Sequence, residues 1–145
     1  MKSAALAGMA LDQFAQLLLE SGRAGEAEAA WREAVLLAER LHGRAGEQTL
    51  VVRNSLASSI SIQGRDSEAA RLLEEVVAAS RQQGPDTNLA SYLVNLGLVQ
   101  LKLGMMQQAG NNCGEAHIQA AKNNDLNAQA EAEKCLDEIN YNFKK

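Results

Sequence analysis

The 145-residue chain is long enough for one domain and too short for two comfortable ones, and its formal charge of −4 comes from 18 acidic and 14 basic residues spread along it. No cluster of Lys or Arg is dense enough to track a phosphate backbone. No apolar stretch approaches the roughly 20 residues that span a bilayer, so nucleic acid as main ligand and membrane insertion are both disfavoured.

Apolar residues make up 46% of the chain but aromatics only 3%, and Pro85 is the single proline. β-branched alternating runs are missing, so an all-α fold is expected. The N-terminal MKSAALAGMALDQF carries a lysine and small residues, as a secretory signal does. Asp12 and Gln13 interrupt its apolar run, however, and an amphipathic first helix is the better reading. Leu11, Phe14, Ala15 and Leu18 place one apolar stripe on that helix. Gly22 follows where a left-handed cap is often required. The next helix presents Ala27, Trp31, Ala34, Val35 and Ala38 on its inner face, with Trp31 read as core rather than as a ligand-stacking surface.

The pattern then recurs. Leu56, Ala57 and Ile60 precede Gly64, and Ala69, Leu73, Val76 and Val77 follow it; Leu93, Leu96 and Gly97 precede Gly104, and Ala109, Cys113 and Ala116 follow it. Gly22, Gly64 and Gly104 lie 42 and then 40 residues apart, and Ala27, Ala69 and Ala109 each stand five residues after their glycine. Each copy therefore reads as a helix hairpin. The small residue inside each first helix (Ala15, Ala57, Gly97) allows two helices to approach closely. Glycine there costs about 1 kcal/mol against alanine, so close packing must outweigh propensity at Gly97. Gly110 and Gly114 weaken the second helix of the third copy. After Asn123-Asn124, Asp125 is an N-cap candidate for a last helix with Ala128, Ala132, Cys135, Leu136 and Ile139 inward and Glu131, Glu133, Lys134, Asp137 and Glu138 outward. Apolar inward and charged outward is what the end of a helical stack requires.

The leucine–small pair in "NLGLVQLKLG" and the Gly-x-x-x-x-Ala spacing in "GRAGEA" and "GRDSEA" resemble the tetratricopeptide repeat over nearly the whole chain. The aromatic usual near the end of the first helix is Leu18, Ile60 and Gln100 here, and no proline closes the first copy. The period exceeds the 34 residues of the common form. With asparagine (Asn54, Asn95) just before the leucine–small pair, it is similar to the longer kinesin-light-chain type. The resemblance implies a right-handed α-solenoid of three hairpins, about residues 5–43, 47–84 and 86–123, with a capping helix over about 125–141, in one domain spanning 1–145. It also implies a protein-interaction module whose first helices line a concave face. Residues displaced from the packed stripe of those helices are Met9, Asp12, Gln13 and Gln16, then Asn54, Ser58 and Ser61, then Ser91, Asn95, Leu98 and Lys102. Asparagine amides in that position can donate to and accept from an extended peptide backbone. With Asp12 and Gln13 at one end and Lys102 at the other, an acidic C-terminal tail would be held poorly.

No nucleotide-binding loop, zinc-protease motif, nucleophile elbow or paired-cysteine metal motif is present. No catalytic residue, cofactor or metal is therefore expected, and the protein reads as non-enzymatic. Its partner is expected to be a protein or peptide, with membership of a multi-subunit assembly as the alternative. Cys113 and Cys135 read as two buried thiols, with a disulfide or redox switch as the minor alternative. His42 and His117 read as surface or helix-end residues. The i,i+4 pairs Glu28–Arg32 and Arg71–Glu75 read as solvated surface. A reducing, cytoplasmic location is the default, with an organelle interior after loss of a transit peptide as the alternative.

Overall fold

A computed structural model describes residues 2–144, in which seven helices follow one another: α1 (Lys2–Glu20), α2 (Ala24–His42), α3 (Glu47–Ile62), α4 (Asp66–Gln82), α5 (Leu89–Lys102), α6 (Met106–Lys122) and α7 (Leu126–Phe143). No strand occurs among the described residues. Each helix packs on the next, and α5 also lies beside α3 and α7. The odd-numbered helices thus form an inner layer and the even-numbered ones an outer layer, the arrangement of an α-solenoid.

The hairpin turns follow from the glycines. Gly22, Gly64 and Gly104 adopt φ of 80°, 88° and 78°, a region that costs an L-residue with a Cβ about 1 kcal/mol or more. In the α6–α7 turn Asn124 takes the same conformation at φ 55°. Asp125 then caps α7, its carboxylate accepting from the Ala128 N–H at 3.1 Å.

The alanine register is a packing register. Ala27, Ala69 and Ala109 have no exposed surface, nor do Ala15 and Ala57. The expected stripes of α2 and α4 are buried, with Trp31 only 1% exposed. Gly97 meets the steric demand most sharply: a Cβ there would collide with the Sγ of Cys113 and lie 3.3 Å from the Ala109 carbonyl oxygen.

Three expectations need correction. Phe14 is 55% exposed, not part of the inner stripe. α1 packs chiefly on α2, so Ala15 and Leu18 are covered, while Phe14, at the edge of their stripe towards exposed Leu17, is left outside the contact. Cys113 and Cys135 are not free thiols but a disulfide between α6 and α7, with Cα atoms 6.3 Å apart. Their inward stripes face each other across this pair of helices, at a separation usual for the bond.

The third correction concerns Glu28. Its side chain is only 12% exposed and sits among cations from two hairpins. Arg32 approaches it at 2.6 Å, Arg65 at 2.7 Å, and Gln63 donates to it at 2.8 Å. The hydrogen bond from Arg65, more than burial opposes it, holds the carboxyl down at about 2. This is a junction between repeats rather than solvated surface. Arg71 and Glu75 are exposed, as expected.

The longer period is accommodated by braced loops. Thr49 donates to the Gly43 carbonyl and Ser80 to the Asp86 carboxylate, each at 2.7 Å, and both side chains are fully enclosed. Gln100, where an aromatic would be usual, is 4% exposed and accepts from Asn112 at 2.7 Å.

Candidate partner-binding groove

Most of the residues displaced from the packed stripes fall into two hollows. The first, about 490 Å³, is lined by α1, α2 and α3 and contains Asp12 and Gln13. Its walls are mainly aliphatic, among them Met9, Leu37, Leu41 and Val52. Asp12 is half-buried here and accepts from the Trp31 indole N–H at 2.9 Å. It therefore positions the core tryptophan and is only partly available to a ligand.

The second hollow, about 480 Å³, lies between α3, α5 and α7. It gathers Ser58, Ser61, Asn95, Leu98 and Lys102, with Glu138 and Asn142 contributed by α7. Asn95 donates to the Asn54 side-chain oxygen at 2.8 Å, joining α3 and α5. This bond does not use the Asn95 side-chain oxygen or the Asn54 side-chain N–H groups, which remain an acceptor and donors. Ser58 donates to the Asn54 carbonyl at 3.3 Å.

Ser61 is 7% exposed, donates to Asp66 at 2.7 Å and accepts from the Lys102 ammonium at 3.0 Å. Asp66 also lies 3.8 Å from that ammonium. The cation at the end of the groove thus already has an anionic neighbour. Gln16, Asn54 and Ser91 stand outside the two hollows. Gln16 is exposed and donates to Glu20 at 3.0 Å, and Ser91 is half-buried.

Sequence reasoning missed the contribution of α7. It assigned Glu138 to the solvent side of a cap, because that cap was treated as the end of the stack and not as a wall of the groove. The signal was present in Glu138 and Asn142, four residues apart and thus on one helix face.

Among the described residues, no group of three or more His, Cys, Asp or Glu side chains is placed to hold a metal ion. His117 lies 3.1 Å from Glu133 of α7, a carboxylate neighbour invisible in sequence spacing. No described helix is long and apolar enough to cross a membrane.

The two-layered helical stack with a grooved inner face defines a solenoid of helix hairpins. A tetratricopeptide repeat model matches residues 6–82, and the chain belongs to the tetratricopeptide repeat family. It is 28% identical over 134 residues to the mitochondrial tetratricopeptide repeat protein 19 homolog of Drosophila melanogaster, covering 92% of this chain and 36% of that protein. To the mitochondrial tetratricopeptide repeat protein 19 of Homo sapiens it is 31% identical over 121 residues, covering 83% and 31%. The chain thus spans about a third of the length of these relatives. Among solved structures, a kinesin-light-chain-like protein of Podosopora anserina with nearly identical repeats superposes with a TM-score of 0.80 at 18% identity, over 90% of this chain and 64% of that one. BtubC of P. vanneervenii gives 0.69 at 16%, over 95% and 63%. At these identities the likeness is one of fold.

Proposed function

We propose that the protein is a non-catalytic interaction module that seats an extended partner segment in the groove between α3, α5 and α7. The observation that carries this reading is the Asn54–Asn95 pair, whose mutual bond fixes both amides and does not use one side-chain oxygen and the other side chain's N–H groups, which a passing backbone could engage. The first hollow, with its aliphatic walls, would take an apolar side chain of the same segment.

The names of the relatives support an organelle interior, the mitochondrion, rather than the cytoplasm. A disulfide is unusual in a reducing cytosol, which points the same way.

The test is photo-crosslinking from a benzoylphenylalanine placed at Leu98 in the groove, beside one at Glu74 on the exposed side of α4, in mitochondrial extract. The reading expects an adduct from position 98 that is missing from position 74. The double change Asn54→Ala and Asn95→Ala should then weaken calorimetric binding of the recovered segment about 5- to 150-fold, at about 0.5–1.5 kcal/mol per lost hydrogen bond. Equal adducts from both positions, or full affinity in the double variant, would remove the groove from the function. A fixed-stoichiometry complex held through other surfaces would then be the better description.

A further inference from the structure

We infer that the Cys113–Cys135 disulfide is a redox latch on the groove: oxidised, it holds α7 in place as a wall, and reduced, it lets that wall come away. This rests on reading the groove as the partner site.

Apart from that bond, α7 packs on α5 and α6 through mostly small side chains. Its buried residues are Ala128, Ala132, Cys135 and Ile139, two of the other three being alanines. Ala109, Cys113, Cys135 and Ile139 form a small cluster of their own, apart from the main core. The facing helix is thin at the same place. A Cβ at Gly114 would meet nothing within 4 Å, and one at Gly110 would reach only the Ile139 Cδ1, at 3.9 Å. The partly buried Leu98, Leu101, Met106 and Leu136 pack around this cluster, and the covalent bond joins its two cysteines.

The same helix furnishes Glu138 and Asn142, one and two turns beyond Cys135, to the groove opposite Ser58, Ser61 and Lys102. Cys113 Sγ also occupies the space left by the missing side chain of Gly97 on α5, the helix that carries Asn95 and Lys102. Losing the bond therefore bears on the packing of α5 as well as of α7.

Both sulfurs are fully enclosed, so thiol–disulfide exchange must wait for α7 to open. In closing, a Cys thiolate attacks a sulfur of an oxidised dithiol carrier, forming a mixed disulfide and releasing one carrier thiolate. The second Cys then attacks the mixed disulfide at the protein's sulfur and expels the other. Two electrons and two protons pass from the pair to the carrier, which leaves as a dithiol. A dithiol reductant runs the sequence backwards.

The experiment compares oxidised protein, protein reduced with tris(2-carboxyethyl)phosphine, and reoxidised protein. Hydrogen exchange followed by mass spectrometry should show α7 amides exchanging at least about tenfold faster after reduction, recovering on reoxidation, while α1 and α2 stay unchanged. Acetylation of Lys102 by a water-soluble succinimidyl ester should accelerate severalfold on reduction, with Lys144 as the internal reference. Cys113→Ala with Cys135→Ala should reproduce the reduced pattern; if that variant does not fold, the reduced natural chain still decides. Unchanged protection of α7 overturns the latch. Faster α7 exchange with an unchanged Lys102 rate overturns its link to the groove. If instead both respond but no adduct forms from position 98, the latch stands and the partner reading fails.

Discussion

Gly97 on α5 lies directly against the Sγ of Cys113 on α6, with no room for a Cβ between them. One contact therefore fixes how closely the third hairpin closes and where the sulfur that binds α7 must sit. Gly97→Ala should separate the two helices or displace the sulfur, lowering stability by about 1–3 kcal/mol as overpacked cores do. Gly114→Ala is the control of opposite sign. Its Cβ enters open space in the middle of α6, so it should stabilise by about 0.5–1 kcal/mol. Urea midpoints of the two variants check both; destabilisation by each alike would contradict the packing described.

Glu28→Gln should lower stability by about 1–2 kcal/mol, because Arg65 loses the more buried of its two anionic partners, Glu28 and Glu68, and that pair is only partly screened. The natural carboxyl titrates near 2 when folded, held down first by the hydrogen bond from Arg65, and near the usual 4.5 when unfolded. Its folded value is depressed, so its stabilisation is complete above about pH 4.5 and is lost as the pH falls towards 2. Unfolding free energies measured between pH 6 and 2 should fall more steeply for the natural chain than for the variant. Parallel curves would show that Glu28 does not carry this linkage.

Asp12→Ala should cost about 1–3 kcal/mol by leaving the enclosed Trp31 N–H without an acceptor. Asp12→Asn, which keeps a side-chain oxygen, should recover most of the loss. Trp31 is the only tryptophan in the chain, so its fluorescence during thermal unfolding reports the contact directly. Equal melting points for the alanine and asparagine variants would mean that the bond contributes nothing.

Ala69→Leu should destabilise by about 1–3 kcal/mol through overpacking, since Ala69 is wholly enclosed where α3 and α4 approach. An unchanged denaturation midpoint would place that residue at the surface.

What could be read from the sequence was whatever local sterics control. Glycines at the turns and alanines five residues later mark positions where no other side chain fits, so they disclose the hairpins without any knowledge of neighbours. Phe14 was misplaced because α1 carries apolar residues on two sides, and periodicity alone does not say which side is covered. The Glu28–Arg32 pair was visible as a local pair, but Arg65, 37 residues away, was not. The two cysteines matched the apolar stripes equally well as thiols or as a disulfide. Only their three-dimensional facing, with the vacancy at Gly97 behind them, distinguishes the two. Asn54 stands ten residues before its glycine and Asn95 nine, so counting separates a pair that the structure joins.

The outer layer is sewn together by long side chains: Arg65 to Glu28, Arg32 to Glu68, and Arg81 to Glu115 through two bonds of 2.7 and 2.8 Å. The inner layer between α3 and α5 is joined by the neutral Asn54–Asn95 amides and by the bond from Lys102 to the Ser61 hydroxyl. Added salt weakens exposed ion pairs, screening them over about 10 Å at 0.1 M, and leaves amide bonds largely untouched. The convex arc should then lengthen while the concave one keeps its length. Small-angle scattering across a salt series would read this as a change in radius of gyration, and an unchanged radius would refute it. The solenoid so built behaves as a strung bow whose bend tightens as the electrolyte slackens its back, narrowing the space a partner must enter.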